Sequence, residues 1–109
     1  MIEIKIRKKI NCDYFYDLRI NGHSGFAKKG NDIVCAGVST LVQTFHTLIS
    51  TYFADKVEIN DDGKCFKIAI EDIAVENENI VHYCDFLLTG LFLIEKHYSS
   101  FVKIIILED

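Results

Sequence analysis

The stretch LRINGHSGFAKKGNDIVCAGVSTLV, residues 18–42, changes its hydrophobic period once, and that change decides the fold. Before Gly22, Leu18 and Ile20 alternate with Arg19 and Asn21, the period-two pattern of a strand with one buried face. After Asp32, Val34, Val38, Leu41 and Val42 recur at spacings of three and four. That stripe continues through Phe45, Leu48, Ile49 and Tyr52, which predicts a helix of more than four turns. Between the two lies an aperiodic segment with Gly25 and Gly30, a loop that can bend and move.

Working outward, Ile2, Ile4 and Ile6 alternate with Glu3, Lys5 and Arg7, predicting a first strand that extends to Ile10. A turn at Asn11-Cys12-Asp13 joins it to a strand whose apolar face carries Tyr14, Tyr16, Leu18 and Ile20. Downstream, Val57 to Ile59 and Phe66 to Ile70 flank Asn60-Asp61-Asp62-Gly63, a hairpin with Asp-Gly turn chemistry. Glu76-Asn77 opens a second amphipathic helix with Ile80, Cys84, Leu87, Leu88, Leu91, Ile94 and Tyr98 on its apolar side. Phe101 to Leu107 is a last strand, apolar on both parities apart from Lys103, so it is expected to be central or covered by a partner subunit. The order is ββαββαβ. This is an α+β fold, two helices packed on a mainly antiparallel five-stranded sheet, expected as a single domain over residues 1–109.

Composition narrows the function classes. Half the residues are hydrophobic, no proline is present, and a core can form without metal or disulfide support. The net charge of −4 argues against direct nucleic-acid binding and favours a basic protein or peptide partner. The alternating first strand does not read as a signal peptide, and no apolar run approaches the ~20 residues of a membrane span, so a cytoplasmic location with no membrane partner is expected. Cys12, Cys35, Cys65 and Cys84 show no paired spacing and are expected as reduced thiols.

The chemistry converges on the loop and the helix start. With Asp32 as N-cap, Cys35 falls in the first helical turn, where unsatisfied N–H groups and the helix dipole favour an anion. A thiolate is such an anion, and helix N-termini and neighbouring imidazoles are the common devices that create one. The same N–H groups are candidates for an oxyanion hole. His23, across an eleven-residue loop upstream, can serve as base or ion-pair partner and then as acid to the leaving amine. By parity His23 points away from the apolar face unless Gly22 introduces a bulge. Ser39 shares the Cys35 face one turn deeper and can hydrogen-bond a site group or the Cys35 carbonyl. The loop residues Ser24, Gly25, Phe26 and Gly30 are placed to close over an extended peptide, with the faces near Tyr14 and Tyr16 as further substrate contacts. Taken singly, a helix cysteine is most often a core residue and a histidine beside glycine a turn residue; only their joint placement raises catalysis. Alternatives are a metal site from Cys12, His23 and Cys35 with His82 or Cys84, whose spacings lack Cys-x-x-Cys pairs. A non-catalytic scaffold, which the resemblance given next would make ribosome-associated, or an anion-binding module using the glycine loop are the others. No metal and no cofactor is expected.

Gly22-His23, Gly30, Asp32-Ile33-Val34-Cys35-Ala36 and Val38-Ser39 together resemble the ribosomal-processing cysteine protease family, Prp, and the element order agrees over essentially the whole chain. The resemblance implies a dyad of His23 and Cys35 that removes the N-terminal extension of large-subunit ribosomal protein number twenty-seven. It also implies a basic precursor with aromatic residues before the scissile bond, and a homodimeric enzyme. Gly37, where alanine is common, and Tyr98-Ser99-Ser100, without the usual proline, depart from the pattern.

Overall fold

The computed structural model describes residues 1–12, 14–28, 30–71 and 78–109. Strands β1 (Ile2–Lys8) and β2 (Phe15–Asn21) precede helix α1 (Ile33–Phe53) and a single 3-10 turn, Ala54–Lys56. Strands β3 (Val57–Asp61) and β4 (Cys65–Ile70), helix α2 (Glu78–His97) and strand β5 (Val102–Glu108) follow. The sheet order is β3-β4-β2-β1-β5. All pairings are antiparallel except β1 with β5, which run parallel with Ile2 opposite Val102. The α+β order expected from the sequence is the one observed.

Alternation on β1 does what it predicts. Ile2, Ile4 and Ile6 are buried, while Lys5 and Arg7 face solvent on the opposite side. Leu18, Ile68, Ile70 and Val102 join them in one core. Onto this face α1 lays Val34, Val38, Val42, Phe45 and Ile49, and α2 lays Ile80, Cys84, Leu87 and Leu91. Each large aliphatic or aromatic side chain so buried contributes roughly 1.5–3 kcal/mol. The helices approach closely at Gly90, where an added Cβ would lie 2.8 Å from Leu41 Cδ1. By length and composition alone residues 33–56 would suffice to cross a membrane, contrary to expectation. The stripe is instead spent on the sheet, and the outer face carries Thr40, Thr44, Thr47 and Thr51, each hydroxyl donating to the carbonyl four residues earlier.

Four expectations need correction. β1 stops at Lys8, and Ile10 is exposed. On β2 the register slips, Arg7 pairing with Asp17 and Lys8 with Phe15, so Tyr16 is the extra residue of a bulge. The bulge turns Phe15 into the core against Phe45 and sends Tyr16 outward to donate a hydrogen bond to Asp109. Tyr52 is exposed and Phe53 buried in its place, because the stripe advances by four after Ile49. Finally, β5 is an edge strand and not a central one. Its Ile106 and Leu107 are exposed, and the Ile104 N–H is taken up at 2.5 Å by the Glu95 carboxylate of α2. The expected helix start at Glu76-Asn77 and the turn residue Asp13 lie outside the described residues.

Candidate active site

β2 ends at Asn21, and Gly22 follows with φ of +87°, a left-handed conformation that a side chain resists. A Cβ there would also lie 2.4 Å from the Met1 carbonyl oxygen. This turn is the exception at Gly22 that the parity argument allowed for: it frees His23 from the strand's alternation, and His23 lines the cavity at the head of α1. That cavity, about 680 Å³, is walled by His23, Gly25, Gly30, Asp32, Cys35 and Ser39 among others. The structure therefore brings both candidate dyad residues and both supporting residues to one opening. The Cys35 thiol is partly exposed.

Asp32 caps α1. Its backbone is extended (φ −85°, ψ 94°), its carbonyl accepts from the Ala36 N–H at 3.1 Å, and Oδ1 accepts from the Cys35 N–H at 2.9 Å. The other oxygen, Oδ2, accepts from the Ser24 hydroxyl. These bonds, the Cys35 amide first and the Ser24 hydroxyl second, hold the Asp32 carboxyl below the ordinary value of 3.8. The two Asp32 oxygens are thus taken by the Cys35 amide and the Ser24 hydroxyl, and not by His23. The Cys35 amide is thereby committed to the cap, which leaves the other N–H groups of the first turn as the candidates for an oxyanion hole. The sulfur itself accepts a hydrogen bond from the Ser24 N–H at 3.5 Å.

Ser39 lines the cavity and accepts from the Gln43 side chain at 2.9 Å; its recorded partner is Gln43 and not a site group. Phe26 is 39% exposed, and its ring stands edge-on to Tyr98 and Phe101 at 5.6 and 5.3 Å. The loop is thus anchored on the end of α2 and the start of β5. Tyr14 is buried, and Tyr16 bonds Asp109 at the far end of β2, away from the opening that holds His23 and Cys35.

A second cleft of about 390 Å³ shares Cys35 and Ser39 with the first. Ile20, Ile59 and Phe66 from the sheet and Val38 and Val42 from α1 give it apolar walls, with His46 and Asp61 also lining it. His46 reads as a surface residue in sequence. Its signal was spacing: positions 35, 39, 42 and 46 follow one another by four, three and four, one helix face. Of the other cysteines, Cys12 and Cys65 are half-buried like Cys35, whereas Cys84 is fully buried and burial pushes its thiol up to about 12. Among the described residues no group of three or more His, Cys, Asp or Glu side chains is placed to hold a metal ion.

The family model of the cysteine protease Prp matches residues 1–103. The chain belongs to this family. It is a cysteine protease of the Prp ribosomal-processing group. No curated protein matches it by sequence. Among solved structures it is similar to an essential ribosomal processing protease Prp from Staphylococcus aureus in complex with a covalently linked product peptide. That match has 26% identity and a TM-score of 0.86, covering 98% of this chain and all of that one. The substrate-peptide complex of S. aureus Prp superposes with a TM-score of 0.80 at 23% identity, over 98% of this chain and all of that one. The protein SMU.848 of Streptococcus mutans does so at 0.78 and 24%, over all of this chain and 96% of that one. The latter two likenesses speak to the fold alone.

Proposed function

We propose that this protein is an endopeptidase that removes the N-terminal extension of large-subunit ribosomal protein number twenty-seven, with Cys35 as nucleophile and His23 as its proton carrier. The observation that carries the reading is the single cavity into which a strand-end imidazole and a partly exposed helix-start thiol both open. The thiolate attacks the scissile carbonyl, forming a C–S bond; the C–N bond then breaks as His23 gives its proton to the leaving amine. Water, deprotonated by His23, hydrolyses the thioester and returns the thiol. A peptide covalently linked to the S. aureus enzyme supports a covalent route of this kind.

The apolar cleft beside Cys35 suits the aromatic residues that the family's substrates carry before the scissile bond. The net charge of −4 favours a basic precursor. A cytoplasmic homodimer is the expected working form, by resemblance to the family. The test is incubation with a peptide bearing the ribosomal protein's extension. Wild type cleaves it, whereas Cys35→Ala and His23→Ala lose cleavage by a factor on the order of 10³ or more. Equal cleavage by all three would overturn the assigned chemistry.

A further inference from the structure

The residues that carry the family resemblance run from His23 to Asp32 and Cys35 and leave Ser24 out. Yet among the described residues of a solvent-facing loop Ser24 is the buried one, 3% exposed between His23 and Gly25, both exposed. Its N–H and its hydroxyl are both engaged. Its N–H donates to the Cys35 sulfur at 3.5 Å, its hydroxyl donates to Asp32 Oδ2, and its Oγ accepts from the Phe26 N–H at 3.1 Å. Asp32 in turn holds the Cys35 amide through Oδ1. Cys35 is therefore gripped twice by one bracket: at its backbone through Asp32, and at its sulfur through Ser24.

We propose that Ser24 is a positioning residue of the Cys35 site, its hydroxyl tying the His23-bearing segment to the helix cap so that its own N–H stays on the sulfur. The inference rests on the peptidase reading of the cavity. The physical logic has two parts. A hydrogen bond from a backbone N–H to a thiolate strengthens as the sulfur becomes charged, so it favours the nucleophilic form. That donor sits on a glycine-flanked loop, whose backbone would wander without a second tether. The Ser24–Asp32 bond supplies the tether, and because His23 is the adjoining residue, the same bond limits where the imidazole can stand. It also satisfies the Asp32 oxygen not used by the cap, drawing that negative charge toward a proton and off the nearby sulfur.

The test reads thiol chemistry and peptide cleavage separately. In Ser24→Ala the backbone N–H remains but its tether is gone. Alkylation of Cys35 by iodoacetamide at neutral pH slows, and kcat falls on the order of tenfold with KM nearly unchanged, the signature of a misplaced reacting group. Ser24→Thr, which keeps the hydroxyl, recovers both. In an Asp32→Ala background, where the hydroxyl has lost its acceptor, Ser24→Ala changes the alkylation rate by less than about twofold, the usual limit of additivity. This cycle decides the question even where the bulkier threonine fails to fold. The proposal is overturned when Ser24→Ala alkylates and turns over like wild type, or when its deficit is undiminished without Asp32. Wild type that does not cleave the peptide, with alkylation still dependent on Ser24, would remove the peptidase reading and leave the bracket standing.

Discussion

Asp32 shows how much of a site can hang on one carboxylate. Two hydrogen bonds keep it ionised below the usual carboxylate range, so in the folded protein it releases its proton at a lower pH than in the unfolded chain. The sign follows: its stabilising contribution is present above the ordinary value of 3.8 and is lost as pH falls through the depressed value. Asp32→Asn keeps an oxygen that can accept the Cys35 amide but cannot titrate. Thermal melts taken from neutral pH down to about pH 3 should show a shallower acid decline in Asp32→Asn than in wild type. Identical acid limbs would mean that the cap carboxylate makes no such contribution. The cap was legible in sequence because an N-cap and its partner N–H are three residues apart. The Ser24 contact was not, since it joins positions 24 and 32 through a loop with no period to read.

At the scale of the element, alternation and three-four spacing located five strands and two helices, and they fail where the backbone inserts an unscheduled residue. Phe15 and Tyr16 are the instructive pair. Counting by twos from Leu18 puts Tyr16 inside and Phe15 outside; the bulge against Arg7 and Lys8 exchanges them. Nothing local announces it, because tyrosine and phenylalanine fit a half-buried pleat equally well. Tyr16 also has a hydroxyl that core burial would leave without water, whereas outside it reaches Asp109. The exchange makes a sharp prediction for urea unfolding. Phe15→Ala should cost about 3–5 kcal/mol, the range for emptying an aromatic site in a core. Tyr16→Ala should cost well under half of that, through loss of a surface hydrogen bond of about 1 kcal/mol and some packing. The reverse ranking would restore the simple alternation and remove the bulge.

For the whole molecule, the feature least visible in the sequence is the parallel pairing of β1 with β5. Residues 2–8 meet residues 102–108, so pairing depends on chain that lies about a hundred positions away, and no short-range pattern encodes it. The double apolarity of Phe101 to Leu107 left two readings open, a central strand or a covered one. In the fold β5 is an edge, half shielded by Glu95 of α2 on Ile104 and exposed at Ile106 and Leu107. Closing a loop of that length costs on the order of 4 kcal/mol in chain entropy, so β5 must return more than that. It does so through Val102, which is 1% exposed, and the ladder along β1. Phe101, just before it, also carries the ring against which Phe26 anchors the loop beside Cys35. Removal of residues 102–109 should therefore act at two ranges. The chain loses cooperative unfolding by circular dichroism, because β1 becomes an unpaired edge over an opened core. Removal of Asp109 alone takes away its bonds to Tyr16 and to the Lys8 and Ile10 backbones, and it should lower the melting temperature while leaving the transition cooperative. A cooperative, thermally unchanged 102–109 deletion would show that the sheet closes without β5, and that the site does not depend on the far end of the chain.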